Sequence, residues 1–144
     1  MSKIELMNDE YVALWYHQKP KIIHHQIRGF LPSEVFRALL TRGAECLEQN
    51  RAKKWLSDDS KSAPIRPEDY QWGDTVWAPR VIAAGFAYWA IVLPQKAIAQ
   101  LQMQRFCAEY RARGITVELF DRADPALAWL ANVDRPDSSE GTPR

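Results

Sequence analysis

Residues 86–93, Phe-Ala-Tyr-Trp-Ala-Ile-Val-Leu, form an unbroken apolar run set between Gly85 and Pro94. A strand with almost no polar surface must be covered on both faces, which happens chiefly where helices pack on a largely parallel sheet. The run therefore predicts an α/β protein, whose other strands should alternate with helices.

The rest of the chain supplies those elements. Along residues 11–17, Val12, Leu14 and Tyr16 fall on one side and Ala13, Trp15 and His17 on the other; the alternation resumes over residues 22–28 after Gln18-Lys19-Pro20-Lys21. Period two on both sides of a breaker predicts a β-hairpin. Centred on Lys19-Pro20, it sets Trp15 opposite His24 and Leu14 opposite His25, with His17 diagonal to His24 on one face. Pro32-Ser33-Glu34 opens a helix whose apolar stripe is Phe36, Leu39, Leu40, Gly43 and Leu47. A strand follows at 53–57. Pro67-Glu68-Asp69 opens a second helix, kinked or restarted at Pro79 and ended by Gly85. Residues 95–113 make a third, with Met103, Phe106, Cys107 and Tyr110 on one side and Gly114 beyond its end. A strand at 115–120 leads to a last helix, with Asp124 as N-cap and Pro125 at its first position.

The predicted fold is thus α/β: an N-terminal β-hairpin followed by β-α-β-α-β-α-β-α. The strands at 22–28 and 115–120 are polar on alternate positions, so the helices should lie mainly on one face of a mostly parallel sheet. The expected domain is 1–133, with 134–144 a disordered tail poor in residues worth burying. A chain of 144 residues, 47% hydrophobic and 26% charged, suits one ordinary globular domain. Its net charge of +1, from 19 basic and 18 acidic residues, gives no reason to expect nucleic acid or an anionic membrane as partner. No apolar run nears membrane-spanning length and the first residues lack a signal-peptide core, so a cytoplasmic protein is expected. Cys46 and Cys107, without C-x-x-C spacing, read as reduced thiols buried on helices.

The sharpest functional cue is Trp55-Leu56-Ser57-Asp58-Asp59-Ser60, where a strand breaks into acids and hydroxyls. Loops at the carboxyl ends of strands are where α/β proteins bind ligands. Adjacent residues on a strand point to opposite faces, so Asp58 and Asp59 converge only across a turn, and capping a turn is the commoner role for such acids. Six tryptophans and five tyrosines are heavy for this length. Singly each reads as core; Trp55, Trp72 and Trp77 together could wall a pocket. Arg80 is placed to tie Asp58 or Asp59, or to clamp an anionic ligand. His24 and His25 face opposite sides of their strand, and His17 with His24 lacks a third ligand, so no metal or other cofactor is expected. No nucleophile elbow, phosphate loop or dinucleotide fingerprint occurs, and no catalytic residue is assigned.

The element order resembles the SpoIIAA-like fold shared by STAS domains (anti-sigma-factor antagonists) and the carboxyl-terminal half of CRAL-TRIO lipid-binding domains, over residues 4–133. Lys54-Trp55-Leu56-Ser57-Asp58-Asp59, Trp77-Ala78-Pro79-Arg80 and Tyr88-Trp89-Ala90-Ile91-Val92-Leu93-Pro94 look like small bacterial proteins of that group. In STAS antagonists a serine after an Asp, at a strand end, is phosphorylated by a partner kinase, which blocks binding. The resemblance implies Ser60 as that acceptor, although Lys61 stands where the family has glycine. It implies a non-enzymatic binding or regulatory module that associates with a protein partner, or with itself as a homodimer, through the partly open sheet face or the Ser57–Ser60 loop. Trp55, Ser57, Asp58, Asp59, Trp72, Trp77 and Arg80 would form the contact site. The lipid-binding relatives imply the alternative, a carrier or sensor of a small apolar ligand with its pocket near Trp55, Trp72 and Trp77.

Overall fold

A computed structural model describes residues 2–94 and 97–135. Six strands form one sheet in sequence order: β1 (Lys3–Asn8), β2 (Val12–His17), β3 (Ile22–Ile27), β4 (Lys54–Asp58), β5 (Tyr88–Val92) and β6 (Thr116–Phe120). The first three pair antiparallel and the last three continue from β3 in parallel. The hairpin register is the one the alternation demands, with Trp15 opposite His24 and Leu14 opposite His25. β1 is an addition to the predicted scheme. It is an edge strand with mostly exposed side chains, so no buried face stamps a period on its sequence.

The helices are α1 (Ser33–Asn50), α2 (Pro67–Trp72), α3 (Ala78–Ala83), α4 (Ala97–Ala112) and α5 (Ala123–Asn132). Period two splits the sheet into two cores. Tyr16, Ile23, Trp55, Trp89 and Val117 face α1, α3 and α4, where the predicted stripe Phe36, Leu39, Leu40 and Leu47 is buried with Val81 and Cys107. Ile22, Leu56, Ala90 and Val92 face the opposite way and meet Ala126 and Leu130 of α5. Most helices therefore share one face, and α5 covers part of the other. That double cover is why residues 88–92 carry no polar side chain except the hydroxyl of Tyr88. Both cysteines are free and buried, and burial pushes the Cys107 thiol up to about 11.

Two helix ends differ from expectation. α5 begins at Ala123 after the extended Arg122, so Asp124 and Pro125 lie inside its first turn instead of at its cap. First-turn N–H groups have no helical partner in any case, so a proline fits there. Between α2 and α3 the chain does not simply kink: Gly73–Trp77 is a π-helical segment, in which the Ala78 N–H bonds the Gly73 carbonyl five residues back. Pro79 has no N–H for the carbonyl of Thr75, which removes one α-helical bond at this place. Beyond α5, Asp134 is not loose: its carboxylate lies 2.7 Å from Nζ of the buried Lys54. The rest of the expected tail, 136–144, and the expected α4 residues 95 and 96 lie outside the described residues.

Candidate functional site

A cavity of about 80 Å³ opens on the helix-covered face, at the carboxyl ends of β3 and β4. It has room for several water molecules. β3 contributes His25, β4 contributes Trp55 and Ser57, and Asp59 follows at the strand end. α2 and the π-helical segment add Tyr70, Gly73, Asp74 and Trp77; Trp89 lies on β5, and α4 closes the wall with Met103, Phe106 and Tyr110. The loop at 62–65 forms its rim, tethered where the Ala63 N–H donates to the Gly29 carbonyl at 3.2 Å.

Strand alternation sorts the acidic pair. Asp58 belongs to the register row of Gln26 and Val92, away from the cavity. Its Oδ1 accepts the Ser60 N–H at 3.2 Å and the Ser60 hydroxyl at 2.7 Å, a turn cap. Asp59 faces the cavity, where its Oδ1 lies 3.1 Å from His25 Nε2. The Trp55 indole N–H donates to His25 Nδ1 at 3.0 Å. Nδ1 is therefore an acceptor, and the ring proton sits on Nε2, facing Asp59. With both nitrogens engaged, His25 is not placed to take a proton from Ser57, its neighbour in the β3–β4 register. The buried Ser57 Oγ accepts the Trp89 indole N–H at 2.8 Å and keeps its own proton to donate.

Three further side chains, Tyr110, Tyr70 and Trp77, complete the wall. The Tyr110 hydroxyl donates to Asp74 Oδ1 at 2.8 Å. Burial, followed by the charges of Asp59 and Asp74, pushes the Tyr70 phenol up to about 12. The Trp77 indole nitrogen, on a side chain only 3% exposed, has no hydrogen-bond partner among the described residues. A buried donor without an acceptor carries a penalty of about 1–3 kcal/mol.

Gly73 borders the same space. It is buried and has ordinary right-handed dihedrals, yet a Cβ built on it would meet nothing within 4 Å. Alanine would favour the helix by about 1 kcal/mol. Glycine keeps that volume open.

Of the residues singled out from sequence, Trp55, Ser57, Asp59 and Trp77 meet at the cavity. Asp58 and Ser60 bond each other beside it. Two placements need correction. Arg80 pairs with neither Asp58 nor Asp59: its guanidinium makes two 2.8 Å bonds to Glu48 on α1, the nearest acid across the α1–α3 contact. Trp72 is not in the cavity wall; it packs edge-on against Phe36 and under the Arg37 guanidinium. His25, Tyr70, Asp74 and Tyr110 were missed, because they come from separate elements and no local motif joins them. On the other sheet face, His17 Nε2 and His24 Nδ1 stand 3.0 Å apart, the diagonal contact the hairpin register predicts. Among the described residues no group of three or more His, Cys, Asp or Glu could hold a metal ion. No helix among them is long and apolar enough to cross a membrane. Comparison with protein-family models, curated proteins and solved structures gives no match.

Proposed function

We propose that this chain is a SpoIIAA-like module that binds a small, mostly apolar molecule with one polar end, as a carrier or sensor. The observation that carries the reading is the cavity itself: a largely apolar, aromatic wall that includes the polar residues Ser57, Asp59 and Asp74. Its lining, apolar with few polar groups and at the carboxyl ends of parallel strands, has the composition and place of a small-molecule site. Gly73, kept where alanine fits, supports it further. The sequential order of β3 to β6, with most helices on one face, supports the SpoIIAA-like part of the proposal. Association with a protein partner through the Ser57–Ser60 loop has less support, since Ser57 is buried and the Ser60 hydroxyl is already bonded to Asp58.

The test is occupancy. The purified chain is analysed by native mass spectrometry beside Gly73→Leu, whose side chain would fill the open volume, and Gly73→Ala. A small molecule retained by the wild type and lost from Gly73→Leu, with both melting cooperatively, is the expected result. Equal retention in the two, or no retention of any molecule from cell extract by either, counts against the reading.

A further inference from the structure

We infer that the ligand of this cavity is a small organic cation, an amine or quaternary ammonium group carrying a hydrogen-bond-accepting oxygen; the inference rests on the cavity being a ligand site. Among the described residues lining it, the carboxyl side chains are Asp59 and Asp74, and no Lys or Arg is present. His25 adds no positive charge in this arrangement, because Trp55 donates to Nδ1 and the single ring proton faces Asp59. Arg113 is the nearest cation to Asp74. It donates to the Asp74 backbone carbonyl at 3.4 Å and lies against the Tyr110 ring, but it is exposed to water and is not in the wall. Burial first, and then the charges of Asp59 and Asp74, raise the Tyr70 phenol in the same wall.

The apolar wall has the same preference. Six rings form a continuous chain: Trp55 to Trp77 at 5.1 Å between centroids, then Trp89 at 5.6 Å, Tyr110 at 4.9 Å, Phe106 at 4.6 Å and Tyr70 at 5.9 Å. Aromatic faces carry negative quadrupole potential and attract an ammonium group, most strongly where water is excluded. An anion would meet two carboxyl groups together. The Ser57 hydroxyl keeps a proton to donate. A bare alkylammonium leaves it unused, whereas one bearing a hydroxyl or carbonyl oxygen can accept it.

Three probes of one shape separate the possibilities: choline, its uncharged carbon isostere neohexyl alcohol, and the carboxylate tert-butylacetate. Each is titrated into the full chain by calorimetry, with tryptophan fluorescence as the second readout. Choline should bind about tenfold or more tighter than the alcohol, and tert-butylacetate weakest of the three. Asp59→Asn, which still accepts the His25 N–H, should narrow the margin for choline several-fold and leave the alcohol unchanged, at an unaltered melting temperature. If the alcohol binds as well as choline, the cation is wrong and the cavity reading stands. Tightest binding of the carboxylate reverses the sign of the inference. If none of the three binds at millimolar concentration, the cation is excluded, and the occupancy of Gly73→Leu against wild type then decides the cavity reading separately.

Discussion

Two buried glycines face the same side of this sheet and mean opposite things. A Cβ on Gly43 of α1 would lie 2.3 Å from Cη2 of Trp55; one on Gly73 would touch nothing within 4 Å. The first glycine exists because the interior is full, since the outer edge of the Trp55 indole occupies the place a side chain would take. The second exists beside space that is left empty. Protein interiors are normally packed to the density of organic crystals, so Gly43 is the rule and Gly73 the departure. The contrast locates function: changes in the filled regions should be costly, and changes in the open one should be tolerated or even stabilising.

The largest effect should come from charging a filled region. His24 lies against His17 and Trp15 with no space around it, and its pKa is lowered from 6.5 to about 3 by burial first, then by the charges of His17, His25 and Lys3. His17 is lowered in the same direction, again chiefly by burial. A depressed pKa means that the unfolded chain binds the proton first. The stability these rings contribute is thus complete above pH 6.5 and lost as pH falls toward about 3. Each ring removes up to roughly 1.4 kcal/mol per pH unit. Urea denaturation along this range should show that slope in the wild type and a shallower one in His24→Gln, above the carboxylate range. Identical slopes would show that the His24 site takes up a proton without opening, and the region would not be filled in the sense meant here.

Next in size is Gly43→Ala. Overpacking a full core costs typically about 1–3 kcal/mol. This case should sit at the upper end, because the obstructing atoms belong to a rigid indole whose N–H is held by His25. Combining it with Trp55→Phe should recover part of the loss in a double-mutant cycle. Trp55 also borders the cavity. A change near zero would mean that the ring slides into the open volume, which would merge the two regions into one.

Much of the filled region was legible in the sequence, and little of the open one. The apolar stripe of α1 and the hairpin register follow from periods of 3.6 and 2, and both depend only on which residues are buried. The divergence of Asp58 and Asp59 follows from the same alternation. β1 was not legible because its side chains are mostly exposed and leave no pattern. Arg80 and Trp72 were misplaced because adjacency in sequence stood in for adjacency in space; a helix sends them toward Glu48 and Phe36 instead. The cavity wall is harder still. His25, Tyr70, Asp74 and Tyr110 lie on four elements and meet only when β3, α2, the π-helical segment and α4 are assembled. Pro79 signalled an irregular helix, but not that the irregular turn would present Gly73, Asp74 and Trp77 to one space. A void has no residues of its own, so it leaves no local signature.

The smallest effect is the most direct test of the contrast. Gly73→Ala adds one methyl group where the structure shows open space, on a residue whose dihedrals already suit any L-amino acid. The unfolded chain loses some conformational freedom and the helix gains propensity, so stability should rise by about 0.5–1 kcal/mol. The measurement is the shift in denaturation midpoint at constant slope. The same methyl group added to Gly43 should move stability the other way. Two identical chemical changes, on two buried helical glycines of one core, would then differ in sign for a single reason: one volume is occupied by Trp55 and the other is reserved. A Gly73→Ala variant that loses stability would place atoms where the cavity is drawn, and the case for a ligand there would fall with it.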